Sequence, residues 1–179
     1  MNVCESLTVT AKTFPERIAI VYEDRPLTYA ELNRRSAIAA HYLTTQGIRR
    51  GDRVALMLPN APAFAVWYYA VLRIGAIAVS VSTRLTASEV IFVAEDCSAS
   101  AFVSTDPISR ELSENLPECV TLVIGTSVEA TADDEMWGES GEGCPAGWMK
   151  TERDDAALIL YTSGTTGFAK GATLSHGNV

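Results

Sequence analysis

The stretch that decides the fold covers residues 50–81 and reads RGDRVALMLPNAPAFAVWYYAVLRIGAIAVSV. Its apolar run Arg53–Leu58 has the length of a strand and lacks polar alternation, as expected for a strand covered on both faces. A longer apolar segment of helical length follows and ends near Gly75, and Ala76–Val81 then gives a second buried strand. This order predicts a βαβ unit with parallel strands, in which Arg53–Leu58 is central.

Turn and capping residues mark the elements before this unit. Ile18–Tyr22 predicts a strand and Glu23–Pro26 a turn. The sequence Thr28-x-x-Glu31 is typical of a capping box, in which two side chains satisfy backbone N–H groups at the start of a helix. This helix is predicted to run to about Gln46, and Gly47 is placed to end it in the left-handed conformation.

Similar signals flank and follow the central unit. Arg50-Gly51-Asp52 predicts the turn into its first strand, and Asn60 is placed to cap its helix. Thr86-x-x-Glu89 repeats the capping box before a helix at Val90–Asp96. Three more elements are predicted, namely strands at Ala101–Val103 and Val120–Ile124 and a short helix at Ser109–Asn115. The chain is therefore predicted to have an α/β fold, with a mostly parallel sheet and flanking helices.

The negative charge is concentrated in one stretch. The whole chain has a formal charge of -8, and residues 129–155 hold 2 basic and 9 acidic side chains, against 11 and 13 in residues 1–128. From Gly125 to Asp155 the periodic pattern is lost while acidic residues and glycines accumulate, which predicts a long surface loop. Because no clustered Lys/Arg face is present, the chain is not expected to bind nucleic acid.

Cysteine use and the N-terminus predict a cytoplasmic protein. Four cysteines lie far apart in the sequence, without a CxxC pair or nearby histidines, which favours reduced thiols over a disulfide framework or a metal site: Cys4, Cys97, Cys119 and Cys144. The first ten residues, MNVCESLTVT, lack the basic start and continuous apolar run of a signal peptide. The most apolar stretch, Ala61–Val81, is interrupted by Arg73 and Gly75, so no transmembrane segment is predicted.

The residues after the acidic stretch carry the chemistry of the chain. Ala156–Tyr161 predicts a strand, and four hydroxyl side chains, three glycines and one lysine follow within ten residues, Thr162–Gly171. Glycines let backbone N–H groups approach an anion, hydroxyls donate hydrogen bonds and lysine supplies positive charge, so this composition suits a phosphate-binding loop. A flexible surface loop would have the same composition. A Walker A loop is disfavoured, because it needs a glycine directly before Lys170 and a serine or threonine directly after it.

The order of these residues resembles a known signature. Tyr161–Gly171, YTSGTTGFAKG, is similar to the YTSGTTGxPKG motif of the adenylate-forming superfamily, which includes acyl-CoA synthetases, peptide-synthetase adenylation domains and luciferases. Ten of the eleven residues match, and the exception, Ala169 in place of proline, is expected to leave the loop more mobile before Lys170. Arg84–Glu89 resembles acyl-CoA synthetases more than peptide-synthetase domains, and Leu174–Asn178 resembles the family's continuation into a helix. Earlier blocks also match in the expected order: Leu27–Asn33, Gly51–Ala55 and Leu58–Asn60.

The resemblance implies an ATP-dependent carboxylate:CoA ligase. In that family a carboxylate attacks the α-phosphorus of Mg-ATP to give an acyl-adenylate and pyrophosphate, and coenzyme A then takes the acyl group. The implied partners are ATP, Mg²⁺, coenzyme A and a small carboxylic acid, here a fatty or related acyl acid. His176 is implied near the substrate region, although a structural role at a helix start fits it equally, and no metal ligand is assigned. The residues implied to hold the β- and γ-phosphates are Thr162, Ser163, Gly164, Thr165, Thr166, Gly167 and Lys170.

The same resemblance implies that residues 1–179 are the N-terminal part of a large adenylation domain, with an acidic surface loop at about 125–155 and a phosphate loop at 161–171. The remainder of that domain, and a C-terminal domain with a catalytic lysine, lie outside this sequence, so the chain is expected to be inactive by itself. Two alternatives stay open. One is a non-catalytic family member that binds a partner, such as the missing remainder, and the other is an adenylation domain that loads a carrier protein.

Overall fold

A computed structural model describes residues 2–105, 112, 114–130, 147–162 and 169–179. Its helices are α1 (Val3–Thr13), α2 (Tyr29–Thr45), α3 (Pro62–Arg73) and α4 (Ala87–Asp96). Its strands are β1 (Ile18–Tyr22), β2 (Arg25–Thr28), β3 (Arg53–Met57), β4 (Ile77–Ser80), β5 (Ala101–Thr105), β6 (Leu122–Thr126), β7 (Ala156–Thr162) and β8 (Lys170–Ser175). β1 and β2 form an antiparallel ribbon, and the other six strands form one sheet in the order β6-β5-β3-β4-β7-β8. Within this sheet only the β7–β8 pair is antiparallel, so the predicted mostly parallel α/β class is confirmed.

The βαβ unit predicted from residues 50–81 lies at the centre of the sheet. β3 pairs in parallel with β4 on one side and β5 on the other, and Val54 is aligned with both Ala78 and Ala101. The residues Val54–Leu56 are completely buried. A continuous apolar run is what a strand with two covered faces requires, and the central position predicted for β3 is confirmed.

Helices cover both faces of the sheet. On one face α2 and α3 pack over the strands through a core that contains Trp67 and the β3 residue Val54. On the opposite face α4 packs through Val93 against a second core that contains Ala55. Successive residues of a strand point to opposite faces, which is why Val54 and Ala55 belong to different cores. α1 lies on the α3 side, where its Cys4 packs in a third, smaller cluster.

Helix ends follow the predicted glycines and capping boxes. Gly47 follows α2 with a φ of 89°, and Gly75 follows α3 with a φ of 71°. Both glycines and the residues after them donate backbone N–H groups to the last turn of their helix, which satisfies carbonyls that the helix leaves free. Thr86 and Glu89 form the complete capping box of α4. At α2 only half of the box is present, because Thr28 accepts from the backbone while its predicted acidic partner pairs with arginines.

The prediction that Asn60 caps α3 is wrong. This helix begins at Pro62, its N-cap residue is Ala61, and no side chain makes a cap hydrogen bond. Proline at the first helical position has no N–H to satisfy, and its φ already suits a helix. The helix can therefore begin without a polar cap.

Two strand boundaries also differ from prediction. The turn was predicted at Glu23–Pro26, but only its first two residues form the turn, with φ values of 48° and 60°. The other two residues belong to β2. Two residues of positive φ match the twist of an antiparallel hairpin, so a longer turn is not needed. The strand predicted at Val120–Ile124 is β6, which begins two residues later, so Gly125 and Thr126 belong to the sheet and not to the acidic loop.

Parts of two predictions lie outside the described residues. Of the helix predicted at Ser109–Asn115, the structure describes only residues 112, 114 and 115. Of the acidic stretch, residues 131–146 are outside the described ranges, whereas residues 127–130 and 147–155 form turns and irregular structure. Both predictions stay open for the undescribed residues.

The apolar helix α3 is a core helix of 12 residues. Within the described ranges, no helix combines the length and hydropathy needed to cross a membrane.

The last residue of α3, Arg73, is 2% exposed. The guanidinium donates to Asn33 Oδ1 at 2.7 Å and to the carbonyl oxygen of Gly147 at 3.0 Å. Arg73 thereby ties α3 both to α2 and to the segment before β7.

Candidate functional site

The predicted phosphate loop leaves the sheet at the carboxyl end of β7. In α/β sheets the crevice at the carboxyl ends of parallel strands is the usual position of a ligand. β7 ends at Thr162, β8 begins at Lys170, and these two residues are direct partners in the antiparallel register. Partners of this kind extend their side chains from the same face of the sheet. The exposed side chains of Thr162 and Lys170 therefore start from neighbouring positions at this edge.

Most predicted phosphate-binding residues lie outside the described residues, namely Ser163, Gly164, Thr165, Thr166 and Gly167. The two that are described, Thr162 and Lys170, are brought together by strand pairing, and their contact with phosphate stays a prediction. The sequence had placed Lys170 and Gly171 in the loop, whereas both belong to β8. β7 would otherwise present unpaired backbone groups, which the pairing with β8 satisfies. After β8, residues 176–178 form a turn, and a helix at this point stays a prediction.

Tyr161 connects both strands of this hairpin to α4. A Cβ atom placed on Gly171 would lie 3.0 Å from Cζ of Tyr161 and 3.1 Å from Cγ2 of Ile159, so the Tyr161 ring occupies the space of the missing side chain. The Tyr161 hydroxyl donates to Asp96 Oδ2 at 2.5 Å, and Asp96 is the last residue of α4. The first and last residues of the signature motif thus pack against each other.

The Tyr161 hydroxyl and the nearby Cys97 thiol stay protonated at neutral pH. Burial, together with the hydrogen bond to Asp96, raises the pKa of Tyr161. Burial also raises the pKa of the Cys97 thiol to about 11. Cys97 and the exposed Cys119, which are distant in sequence, both approach the carbonyl oxygen of Ala94 at 3.8 Å. A protonated thiol is a poor nucleophile, so Cys97 is not suited to covalent catalysis.

His176 lies at the opposite end of the hairpin from Thr162 and Lys170. Its backbone N–H donates to the carbonyl oxygen of Asp155 at 2.9 Å, and its side chain is 1% exposed. Nδ1 accepts from the Val3 N–H at 3.3 Å, which leaves the proton on Nε2, for which no partner is found among the described residues. Burial lowers the pKa of His176, although the Asp155 carboxylate acts in the opposite direction. These contacts fit the structural alternative, and a place near the substrate stays a prediction.

Asn2, Arg73 and His176 together form what we call the anchored end of the sheet. Asn2 Nδ2 donates to the carbonyl oxygens of Leu72 at 2.8 Å and Met149 at 3.0 Å, while its Oδ1 caps α1. All three side chains hold α1 and α3 to the segments that precede and follow the hairpin. Sequence reasoning named His176 but did not bring the three residues together, because the bonds by which they hold α1 and α3 to distant segments join residues 70 or more positions apart.

A cleft of about 450 Å³ opens at the anchored end, and none of the predicted site residues that the structure describes, Thr162, Lys170 and His176, lines it. Its wall contains Ile48, Ile74 and Trp148 beside Arg49 and Arg50. Among the described residues, no group of three or more His, Cys, Asp or Glu side chains is placed to hold a metal ion.

Comparison with known proteins identifies the family. The sequence profile described as "AMP-binding enzyme" matches residues 7–179. The 2-succinylbenzoate–CoA ligase of Bacillus velezensis is 35% identical over 171 residues, which cover 94% of this chain and 32% of that protein. A feruloyl-CoA synthase of Amycolatopsis is 37% identical over 169 residues, with the same coverage. The chain thus spans about a third of the length of the curated relatives it matches.

A solved structure gives the same result for the fold. The Mycobacterium tuberculosis fatty acyl CoA synthetase superposes with a TM-score of 0.83 at 32% identity, covering 98% of this chain and 34% of that one. Since the family profile covers nearly the whole chain and a solved synthetase shares its architecture, this chain belongs to the AMP-binding enzyme family and has the fold of the N-terminal region of adenylate-forming acyl-CoA ligases.

Proposed function

We propose that this chain supplies the ATP-phosphate end of an AMP-forming carboxylate:CoA ligase that activates a fatty or related acyl acid. The observation that carries the proposal is the position of Thr162 and Lys170. They are direct partners at the carboxyl end of β7, on either side of a sequence rich in hydroxyls and glycines. The family membership and the names of the relatives support the same chemistry.

In the proposed reaction a carboxylate oxygen of the acid attacks the α-phosphorus of ATP, and the bond from that phosphorus to the bridging oxygen of pyrophosphate breaks. Negative charge develops on the departing pyrophosphate, so groups that stabilise it speed the step. The Thr162 hydroxyl would donate a hydrogen bond, and the Lys170 ammonium group would neutralise charge on the β- and γ-phosphates, together with Ser163–Gly167. Mg²⁺, when bound, would add to this neutralisation. No proton transfer through these residues is required.

The class of acid is the finer part of the proposal. The matched relatives are named for a succinylbenzoate and a ferulate, which are aromatic acids, whereas the superposed structure is named a fatty acyl CoA synthetase. A substrate panel should therefore contain both aliphatic and aromatic acids. Transfer to coenzyme A, and a cytoplasmic location where ATP and coenzyme A are available, belong to the same proposal.

The 179-residue chain is expected to bind ATP weakly. A hydrogen bond to a charged group contributes about 1.5–3 kcal/mol, so four such bonds give roughly 6–12 kcal/mol. Association costs on the order of 4–15 kcal/mol before any affinity remains. With phosphate contacts alone, we expect a Kd no tighter than about 1 mM, which corresponds to roughly -4 kcal/mol. A micromolar Kd measured by calorimetry on this chain would contradict the estimate.

ATP–pyrophosphate exchange tests the proposal. The assay is run with the acid panel on this chain and on the native polypeptide that contains it, and acyl-CoA formation is followed by mass spectrometry. We expect exchange by the native polypeptide with at least one acid, and none by the 179 residues alone. A native polypeptide that exchanges with no acid would end the ligase proposal. Acyl transfer to a carrier protein but not to coenzyme A would reassign the acceptor.

A further inference from the structure

We propose that Tyr161 is a positioning residue which, with Asp96, fixes the end of β7 that carries Thr162 against the start of β8 that carries Lys170. The inference rests on the proposed function, because the phosphate site is what these two strand ends would serve. It gives the first residue of the signature motif a role that requires no contact with ATP.

The Tyr161 ring fixes the register of the hairpin. Tyr161 and Gly171 are direct partners, and Thr162 and Lys170 are the next pair toward the loop. A Cβ opposite the ring would approach its Cζ at 3.0 Å, which is closer than a side chain tolerates without displacing its neighbour. A slip of β8 by one residue would bring Lys170 or Ala172 opposite the ring and would create this conflict. The observed register, in which glycine lies opposite the ring, avoids this steric conflict. The same register places Thr162 opposite Lys170.

The Tyr161 hydroxyl fixes the hairpin relative to the rest of the sheet. It donates at 2.5 Å to Asp96, the last residue of α4. That end of α4 is itself held, since the Arg53 guanidinium at the start of β3 donates to the carbonyl oxygens of Cys97, at 2.7 Å, and Ser98. A continuous set of contacts therefore runs from the central strand through α4 to the strand end that precedes the phosphate loop.

A role in packing alone makes a different prediction. The ring also contacts the core under α4, and phenylalanine would preserve that packing. If packing were the whole role, Tyr161→Phe would leave phosphate binding unchanged. If the hydroxyl positions the strand end, the same substitution weakens phosphate binding without altering the interaction with the acid.

Exchange kinetics of the native polypeptide separate the two roles. Tyr161→Phe and Asp96→Ala should each raise the KM for ATP about three- to tenfold, the loss expected for one hydrogen bond, with the KM for the acid and kcat within about twofold of wild type. Asp96→Asn keeps an oxygen acceptor and should recover most of the loss. The Tyr161→Phe/Asp96→Ala double variant should be no worse than either single one. Tyr42→Phe, at a half-buried core tyrosine of α2, is the matched control and should change neither KM.

A second measurement keeps the inference testable apart from ligase activity. Inorganic triphosphate is titrated into this chain and followed by NMR, which measures millimolar affinities. The wild-type Kd should rise in Tyr161→Phe by the same three- to tenfold factor and stay unchanged in Tyr42→Phe. If the native polypeptide fails to exchange while this titration behaves as expected, the proposed function is wrong and the positioning role stands. An unchanged Kd in Tyr161→Phe, or a wild-type chain that does not bind triphosphate, overturns the inference.

Discussion

The two ends of the β7–β8 hairpin hold polar residues in opposite ways. At the anchored end, Asn2, Arg73 and His176 are at most 2% exposed, and their side chains bond mainly to backbone groups and neutral partners. At the loop end, Thr162 and Lys170 are exposed at the carboxyl edge of the sheet. Buried polar groups need partners that offset their desolvation, and the partners of the first set join distant segments of the chain, which is the pattern of a structural role. In this molecule the buried polar side chains have structural contacts, whereas the exposed polar side chains at the strand ends belong to the candidate site.

The largest effect should come from Arg73→Ala at the anchored end. The variant deprives Asn33 Oδ1 and the Gly147 carbonyl of a donor and leaves a void, so the free energy of unfolding should fall by about 3 kcal/mol. Urea unfolding measures the loss, and Arg84→Ala, at an exposed arginine, should change it by less than about 0.5 kcal/mol. Equal effects of the two variants would show that Arg73 does not hold this end together.

A smaller loss is expected from Gly171→Ala at the loop end. The new methyl group would press on Tyr161 and Ile159, and overpacking of this kind costs about 1–3 kcal/mol. Gly147→Ala is the control, since no heavy atom lies within 4 Å of its added Cβ. If urea unfolding gives the same free energy of unfolding for the two alanine variants, the Tyr161 ring does not pack against Gly171 as described.

The pH dependence of stability should report on His176. Burial lowers its folded-state pKa, so the unfolded state binds the proton more readily. The free energy of unfolding is therefore not reduced by His176 above the pKa of histidine in the unfolded chain, about 6.5. It falls as the pH drops below that value and the unfolded state takes up the proton. Urea unfolding between pH 7.5 and 5.5 should show this decline, and His176→Gln should flatten it while His41→Gln retains it. Parallel wild-type and His176→Gln profiles would contradict the assignment.

The smallest change in stability is expected from Lys170→Met at the loop end. An exposed lysine contributes little to folding, so the free energy of unfolding should stay within about 0.5 kcal/mol of wild type. Triphosphate binding by NMR should nevertheless weaken about tenfold, because a charge-assisted contact is lost. Lys150→Met, at an exposed lysine near the anchored end, should alter neither quantity. Loss of stability without loss of binding would reverse the contrast between the two ends.

Sequence reasoning succeeded where local chemistry sets an element's end. Gly47 and Gly75 were predicted because only glycine takes the left-handed conformation without cost, and Thr86 because its box is complete within four residues. It failed at Asn60, where Pro62 begins the helix without a polar cap. α1 and β8 were not predicted, because each is stabilised by partners distant in sequence or by the edge of another strand.

The candidate site divides in the same way. The order of residues in the signature motif was enough to predict the family, which the comparisons confirm, and to name the phosphate-binding residues, which stays a prediction. The partners of Tyr161 were not predictable, because its hydroxyl reaches a carboxylate 65 positions earlier in the chain. A short motif can predict which side chains bind a ligand, but it does not contain the distant residues that hold those side chains in place.

The contacts of α1 also have a kinetic consequence. Asn2 bonds to Met149 across 147 positions, and Val3 bonds to His176 across 173. Closing such long loops costs entropy before the contacts compensate for it, so we expect α1 to dock late in folding. During translation this helix leaves the ribosome before its partners Met149 and His176. Until then its bonds to Met149 and His176 cannot form, so complete docking of α1 is expected to follow completion of the hairpin.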